Sequence, residues 1–168
     1  METREISCPL TRGEKILVAV DGSVYSDFAV DQAVSLGGMC KSKIYLISVV
    51  EMYPEHVSEA VKFADNMIEL ASEYLEHAKQ KVKAAGIPCE TISHTGVRPY
   101  EFIIQEAKDK GIDLIIMGTH GRTGLKRLFL GSVAQKVVGY AHCPVMVIPC
   151  SETTGAERRK EESRGRMR

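Results

Sequence analysis

Five short strand-like segments alternate with helical patterns along the 168 residues of this chain, and this alternation limits the fold more than any other feature. The first segment, Lys15 to Val20, is a continuous apolar run of the kind found in strands that are buried on both faces. Strands that alternate with helices form right-handed crossover units, in which helices cover both faces of a parallel sheet. The pattern therefore predicts a three-layer α/β/α fold with a five-stranded parallel sheet and four main helices.

The predicted elements are separated by clear turn signals. The strands are expected at Lys15 to Val20, Ile44 to Val50, residues 87–94, Asp113 to Gly118 and Pro144 to Pro149. The helices are expected from the turn Asp21-Gly22-Ser23 to Gly37-Gly38, over about residues 57–85, from Pro99 to about Lys108, and from about Gly131 to Tyr140. The third strand is more polar than the others, which suits an edge of the sheet.

Charge and composition define the expected domain organisation. Lys plus Arg and Asp plus Glu each total 22, a balance that argues against a strongly basic nucleic-acid-binding protein. Residues 151–168 contain no large aliphatic side chain and are expected to form a disordered polar tail. We therefore expect an N-terminal extension at residues 1–12 and a single nucleotide-binding domain over residues 13–150.

Cysteine usage and apolar runs bear on the compartment of the protein. The five cysteines include no Cys-x-x-Cys pair, so free thiols in a reducing cytosol are expected rather than disulfides or a zinc site. The N-terminal residues lack the apolar stretch of a secretory signal, and no apolar run approaches the roughly 20 residues of a membrane helix. These features predict a cytoplasmic protein that contacts neither membranes nor nucleic acids.

A glycine-containing loop after the fourth strand carries the clearest functional signal. Gly118 and Gly121 follow the strand, and after nine further residues Gly131-Ser132 opens a helix. Glycines let the backbone approach a ligand closely, and the unpaired N–H groups of a helix N-terminus suit a phosphate. The intervening residues include three basic side chains that can close over an anion, Arg122, Lys126 and Arg127. The pattern therefore favours a nucleotide site over an ordinary strand-to-helix loop.

The position of this loop in the predicted sheet supports the same interpretation. Parallel sheets bind ligands beyond the carboxyl ends of their strands, where the strand order reverses. If the first strand is central, the loops after strands one and four flank that crevice. Asp21 would then lie opposite the glycine loop, where its carboxylate can accept hydrogen bonds from ribose hydroxyls or help to hold a metal ion.

Two segments of the chain resemble the signatures of the universal stress protein family. The first is Asp21-Gly22-Ser23, which Ser26, Ala29, Ala33 and Leu36 follow at the family's spacing; the second runs from Asp113 to Pro149. The second contains the pattern Gly-x2-Gly-x9-Gly-Ser without a gap, as in the branch of the family that binds ATP. The resemblance covers about residues 13–150. It implies an ATP-binding α/β protein with strand order 3-2-1-4-5, which usually dimerises through its last strand.

The resemblance also implies which residues contact the nucleotide. The adenine would lie against Ala19 and Val49, and the ribose against Asp21 and Gly118. The phosphates would be surrounded by Gly121, Arg122, Gly131, Ser132 and Val133, and the same loop would be lined by Met117, Thr119, His120, Thr123, Gly124 and Ala134. The implied cofactor is ATP, with Mg²⁺ or Mn²⁺ as the expected cation.

Other nucleotide-processing classes are not matched by the sequence. The chain contains no Gly-x4-Gly-Lys-Ser/Thr phosphate loop and no Gly-x-Gly-x-x-Gly after its first strand. Phosphoryl transfer also needs a group that positions the nucleophile, and near the predicted site the candidates are Asp21 and His120. We assign no catalytic residue, and slow ATP hydrolysis is the most that we expect.

Three functions stay open at this stage. The preferred one is a nucleotide-dependent regulatory or stress-response homodimer, paired through the apolar last strand, Pro144 to Pro149, because an unpaired apolar edge is an aggregation hazard. The second is a slow ATPase or an autophosphorylating enzyme with Ser132 or Thr123 as the acceptor. The third is a protein-interaction module that binds no nucleotide. The sequence does not identify the protein partner.

Overall fold

The computed structural model describes residue 10 and residues 12–52, 61–121 and 130–149. Five strands and four helices alternate over these residues. The strands are β1 (Lys15–Ala19), β2 (Lys43–Glu51), β3 (Cys89–Gly96), β4 (Leu114–Gly118) and β5 (Val145–Ile148). The helices are α1 (Val24–Cys40), α2 (Val61–Ala84), α3 (Pro99–Asp109) and α4 (Ser132–Tyr140).

The strands form one parallel sheet in the order β3-β2-β1-β4-β5. The central strand is β1, in which Ile16 pairs with Ile44 of β2 on one side and with Leu114 of β4 on the other. This order confirms the predicted fold class, including the edge position of the polar third strand. Because the order reverses at β1, the carboxyl ends of β1 and β4 flank a switch point, which is the usual ligand site of such sheets.

Apolar side chains pack on both faces of the sheet. Successive strand residues point to opposite faces, so Ile16 and Val18 pack with α1 and α2, whereas Leu17 packs with α3 and α4. All three side chains are fully buried. Burial on both faces explains why this strand is a continuous apolar run rather than an alternation of apolar and polar residues.

Helix α1 continues past the glycine pair that the sequence analysis takes as its end. The predicted end at Gly37-Gly38 is wrong, because α1 reaches Cys40 and is terminated by Lys41 in the left-handed conformation, with φ of 54°. Gly37 is buried in the helix, and a Cβ at this position would lie 3.1 Å from Cδ1 of Ile44. This glycine therefore serves the close approach of α1 to β2 rather than chain termination.

Other boundaries differ from the predictions by a few residues. The third strand starts and ends later than predicted, because the N–H of Ile87 bonds back to the carbonyl of Val82 at 3.3 Å and so belongs to the turn that follows α2. The predicted start of the second helix at residues 57–60 and the predicted tail at residues 151–168 lie outside the described residues, as does most of the predicted extension at residues 1–12.

The cysteines follow the prediction in part. Cys89 and Cys143 are free, half-buried thiols, and burial raises the pKa of both. Cys40 is disulfide-bonded, so the expectation of free thiols is wrong at this position. Spacing along the sequence does not show which cysteines the fold brings together, and this explains the error. In the described part of the chain, no helix has the length and apolarity that a membrane crossing requires.

Candidate functional site

A cleft of about 250 Å³ opens beyond the carboxyl ends of β1 and β4, at the switch point of the sheet. It is lined by the ends of β1, β2 and β4 and by the starts of helices. The lining residues are Ala19, Val20, Asp21, Ser26, Ile47, Val49, Glu51, Pro99, Ile103, Met117, Gly118, Thr119, His120, Gly121, Gly131, Ser132, Val133 and Ala134. The cleft thus lies where parallel α/β sheets bind ligands.

The site residues predicted from the sequence converge on this cleft. Every one of them that belongs to the described residues lines it, from Ala19 at the end of β1 to Ala134 in the first turn of α4. Arg122, Thr123 and Gly124 lie outside the described residues, as do Lys126 and Arg127. Residues that are far apart in sequence are brought together because the strands are parallel, so that their carboxyl ends share one edge.

Asp21 lies just after β1 and is held by the turn that starts α1. Its Oδ1 accepts hydrogen bonds from the backbone N–H of Ser23 at 3.0 Å and from the Ser23 hydroxyl at 2.6 Å. Between them, Gly22 has a φ of 78°, which L side chains rarely adopt, and a Cβ there would lie 2.4 Å from the ring of Tyr74. The other carboxylate oxygen, Oδ2, lies beside Gly121, 2.7 Å from where a Cβ of that residue would stand.

The end of β4 approaches the first turn of α1 closely. A Cβ on Gly118 would lie 2.5 Å from Cβ of Tyr25 and 2.9 Å from its carbonyl carbon. Only glycine therefore fits this position without displacement of the helix backbone. The next residue, Thr119, donates its backbone N–H to the carbonyl of Ile148 in β5 at 3.0 Å and accepts a hydrogen bond from the N–H of Gly131 at 2.8 Å.

The N-terminus of α4 lines the cleft beside the loop that follows β4. Gly131 is its N-cap and offers no side-chain cap, and the first bond within the helix runs from the N–H of Gln135 to the carbonyl of Gly131 at 2.9 Å. The N–H groups of Ser132, Val133 and Ala134 consequently have no acceptor within the helix. Together with the helix dipole, three such donors make this end of the cleft suited to an anion.

His120 lies between the two glycines of the β4 loop. Its Nδ1 is 3.1 Å from Oγ1 of Thr119, and its ring packs against the ring of Tyr25 with centroids 5.2 Å apart. Its Nε2 is buried and has no hydrogen-bond partner among the residues that the structure describes. Within the described ranges, the imidazole therefore has a hydrogen-bonding contact at Nδ1 and none at Nε2.

The sequence analysis predicted only part of the lining of the cleft. The residues that it missed are Val20, Ser26, Ile47, Glu51, Pro99 and Ile103. Ile47 and Glu51 flank the predicted Val49 at two-residue spacing on β2, so the alternation of strand side chains could have found them. Pro99 and Ile103 share one face of α3, and only the packing of α3 over the sheet brings that face to the cleft.

With the described residues, a cation in the cleft would need ligands from the bound molecule as well as from the protein. No group of three or more His, Cys, Asp or Glu side chains in the described ranges could hold a metal ion. Asp21 contributes a carboxylate to the same cleft that the start of α4 lines. One carboxylate together with phosphate oxygens is a usual set of Mg²⁺ ligands, whereas a cage formed by the protein alone would need more.

The fold and the cleft define the chain as an α/β protein with a ligand site at the switch point of a parallel sheet. The chain belongs to the Universal stress protein family, whose model matches residues 13–149. It is 36% identical over 145 residues to universal stress protein MJ0531 of Methanocaldococcus jannaschii, a match that covers 80% of this chain and 81% of that protein.

Solved structures of the family have the same fold. The structure of MJ0577, a universal stress protein of Methanocaldococcus jannaschii, superposes with a TM-score of 0.76 at 29% identity and covers 83% of this chain and 97% of that one. A universal stress protein family protein of Arabidopsis thaliana, solved with AMP bound, superposes with a TM-score of 0.61 at 25% identity, covering 83% of this chain and 94% of that one. Both likenesses span nearly all of the described fold.

Proposed function

We propose that this chain binds ATP in the switch-point cleft and acts as a cytoplasmic, nucleotide-dependent regulatory homodimer. The observation that carries the proposal is the convergence of three features on one cleft: the Asp21 carboxylate, the Gly118 to Gly121 loop and the free N–H groups at the start of α4. The carboxylate can accept hydrogen bonds from a ribose, and the glycine loop lets a ligand approach the backbone closely. The N–H groups of the helix can donate to a phosphate.

The lining of the cleft suggests how the parts of a nucleotide are distributed. An adenine fits the apolar wall formed by Ala19, Ile47 and Val49, two of which are partly exposed to the cleft. Asp21 and Gly118 lie where a ribose would follow. The phosphates would then reach the start of α4, and Arg122 of the loop would add a positive charge. A bound Mg²⁺ or Mn²⁺ would neutralise phosphate charge, and holding that cation is the alternative role for the Asp21 carboxylate.

The comparisons support nucleotide binding as the function of the cleft. The number of phosphates in the nucleotide is proposed from the sequence pattern instead. The Arabidopsis thaliana relative was solved with AMP, which has a single phosphate. Our choice of ATP rests on the uninterrupted Gly-x2-Gly-x9-Gly-Ser pattern, in which the chain resembles the branch of the family that binds ATP. That this chain belongs to the ATP-binding branch of its family is therefore part of the proposal.

We assign the protein a regulatory rather than an enzymatic role. In the described part of the cleft, Asp21 and His120 are the candidates for moving a proton, and we assign a catalytic role to neither. A nucleotide without efficient hydrolysis can still act as a signal if a protein partner has different affinities for the bound and empty forms. Slow ATP hydrolysis or autophosphorylation at Ser132 or Thr123 is the alternative.

The homodimer is proposed to form through β5. This strand pairs with β4 on one side and lies at the edge of the described sheet, and its four residues are only partly buried. On the neighbouring α4, Val138 is 49% exposed and Tyr140 is 70% exposed. Pairing of two β5 strands about a twofold axis would cover this apolar edge and satisfy its backbone. Sedimentation of the full chain at micromolar concentration tests this, and a monomer would contradict it.

Calorimetric titration tests the nucleotide site. ATP, ADP, AMP and GTP are titrated, with and without Mg²⁺, into nucleotide-stripped wild type, into Gly131→Val and into the control Gly139→Ala. Gly139 lies near the C-terminal end of α4 and outside the lining of the cleft, and a Cβ there would meet nothing within 4 Å. We expect ATP binding that Gly131→Val abolishes and Gly139→Ala preserves. Absence of heat with every nucleotide would contradict the proposal, and phosphate release at a steady rate would favour the ATPase alternative.

A further inference from the structure

Cys40, the last residue of α1, is disulfide-bonded, and its partner is not one of the other cysteines in the described ranges. Cys89 and Cys143 are free thiols. Because the chain contains five cysteines, the partner within this chain is Cys8 or Cys150, both of which lie outside the described residues. The sheet topology and the length of chain between fixed points distinguish these two candidates.

Cys40 lies at the amino edge of the sheet. Helix α1 connects the parallel strands β1 and β2, so it runs back from the carboxyl edge to the amino edge, where β2 begins. Its last turns pack on the start of β2, since a Cβ on Gly37 would lie 3.1 Å from Cδ1 of Ile44. In the register of the sheet, Ile44 is level with Leu114 at the start of β4.

The chain reaches Cys150 from the carboxyl edge instead. Ile148, two residues before Cys150, pairs with Gly118, which lies four residues beyond Leu114 along β4. Four residues of a strand span about 13 Å, whereas the Cα atoms of a disulfide are at most about 6.8 Å apart. Because β5 runs away from the amino edge as it leads to Cys150, this cysteine is too far from Cys40 to be its partner.

Cys8 is within reach of the end of α1. Leu10, two residues after Cys8, packs against the core cluster to which α1 contributes. The carbonyl of Gly13 accepts a hydrogen bond from the hydroxyl of Ser42, which follows Cys40 by two residues. An extended chain spans at most about 7 Å over two residues and about 17 Å over five. Both fixed points therefore hold Cys8 near enough to Cys40 for a disulfide.

We infer that Cys8 and Cys40 form a reversible disulfide, a redox-modified site that fastens residues 1–12 to the end of α1. Disulfides in a reducing cytosol are usually transient or redox-sensing rather than structural. Small thiols can reach this bond, because Cys40 is only partly buried and its neighbours Met39 and Lys41 are exposed. The reversibility in the cell rests on the cytoplasmic location proposed above, whereas the pairing is independent of nucleotide binding.

The reagent that forms the bond is a low-molecular-weight disulfide such as oxidised glutathione. The thiolate of one cysteine attacks a sulfur of the reagent, which gives a mixed disulfide and releases one glutathione. The thiolate of the other cysteine attacks the protein sulfur of the mixed disulfide, which forms the Cys8–Cys40 bond and releases the second glutathione. The two protein thiols thus lose two electrons and two protons, which are recovered in two glutathione thiols. Excess reduced glutathione reverses both steps.

Peptide mapping of the full chain identifies the bonded pair. Wild type is treated with oxidised glutathione and denatured, its free thiols are alkylated without reduction, and it is digested with trypsin. The three candidate cysteines fall in separate tryptic peptides, which are residues 5–12 for Cys8, 16–41 for Cys40 and 137–158 for Cys150. We expect the first two peptides to be joined and the other cysteines to be alkylated. A product that joins the second and third peptides, or the absence of any joined product, would overturn the inference.

Serine variants test the same pairing in the folded protein. The bond closes a loop of about thirty residues in the unfolded chain, so dithiothreitol should lower the melting temperature of oxidised wild type by about 5 °C or more. Cys8→Ser should not respond to dithiothreitol, whereas the matched control Cys150→Ser should respond as wild type does. The opposite pattern in the two variants would overturn the pairing.

Equilibration with glutathione tests the reversibility. We expect the joined peptide to predominate in oxidised glutathione and to become a minor species when reduced glutathione is in large excess. A bond that survives this excess would be structural, which would overturn the redox role.

Titration of ATP into the oxidised and reduced forms separates this inference from the proposed function. We expect equal affinities, because the cleft is lined by Ser26 in the first turn of α1 and Cys40 lies at the opposite end of this helix. Unequal affinities would overturn the assignment of the bond to residues 1–12 alone. If neither form binds ATP, the proposed function fails and the disulfide is still judged by the peptide map.

Discussion

The backbone N–H of Gly131 donates a hydrogen bond to the carbonyl oxygen of Thr119, with 2.8 Å between nitrogen and oxygen. This bond joins the start of α4 to the loop after β4, across the residues that separate them in sequence. Through the N–H of Thr119, the same loop is bonded to Ile148 of β5. The part of the cleft that we propose to bind phosphate is thus hydrogen-bonded to the edge strand that we propose as the dimer interface.

The close approach at this bond makes position 131 sensitive to side-chain size. A Cβ at Gly131 would lie 3.1 Å from the Thr119 carbonyl oxygen and 3.5 Å from Cα of His120. Its backbone angles, φ of −58° and ψ of 148°, suit any residue, so the effect of substitution is steric. We expect Gly131→Ala to weaken ATP binding mildly and Gly131→Val by about tenfold or more. Titration of both variants checks this order, and equal effects would contradict the steric explanation.

A methyl group at Gly121 would disturb Asp21. The new Cβ would lie 2.7 Å from Oδ2 of Asp21, closer than a carbon and an oxygen can approach, while Oδ1 stays anchored by Ser23. We expect Gly121→Ala to weaken ATP binding because the carboxylate must turn away from the cleft.

A double-mutant cycle shows whether that loss passes through the carboxylate. If it does, adding Gly121→Ala to Asp21→Ala should cost little further affinity. Additive losses, measured by titration of the two single variants and the double variant, would show instead that the methyl group blocks the ligand directly.

The two adjacent glycines of α1 have different surroundings, which the sequence does not show. A Cβ at Gly38 would meet nothing within 4 Å, whereas one at Gly37 would lie 3.1 Å from Ile44. Alanine is favoured over glycine inside a helix, so Gly38→Ala should raise the free energy of unfolding by about 0.5–1 kcal/mol. Gly37→Ala should lack this gain, since Ile44 must move. Urea unfolding of both variants checks the difference, and an equal gain at both positions would contradict it.

An ion cluster on the outside of the sheet gives an expectation for acid pH. Glu90 of β3 lies 2.9 Å from Nζ of Lys43 and 3.2 Å from Nζ of Lys110. Hydrogen bonds from Lys43 and then Lys110 hold the pKa of Glu90 below its ordinary value. A carboxyl group with a lowered pKa in the folded state stabilises the fold above its ordinary pKa, and this contribution is lost as the pH falls through the lowered value.

Glu90→Gln measures that contribution. Water reaches the side chains of Glu90 and Lys43, so their ion pair is weakened by solvent. We therefore expect the variant to lower the free energy of unfolding by only about 0.5 kcal/mol at neutral pH. The difference from wild type should shrink in high salt and vanish once both folded and unfolded forms of Glu90 are protonated. Urea unfolding at pH 7 and at strongly acid pH provides the comparison. A difference that persists in acid would show that Glu90 acts by packing and not by charge.

The sequence by itself determined the fold class, the order of the elements and the outline of the site. A strand that is buried on both faces is encoded as a continuous apolar run, such as Lys15 to Val20. Glycines indicate loops in which the backbone comes close to another group. These signals are local: each depends on a residue and its near neighbours. The convergence of Asp21 with the Gly118 to Gly121 loop followed from the rule that carboxyl ends of parallel strands share an edge.

The tertiary structure alone decided which contacts those elements make. Gly37 resembles a helix stop in sequence, but it lies inside α1 because Ile44 of β2 packs against it. Ile103 enters the cleft because α3 crosses over β2, a relation that its helical spacing does not contain. The ring of His120 packs against Tyr25 of α1, a residue almost a hundred positions earlier in the chain. Such features arise from distances between residues remote in the chain, which only the packed fold sets.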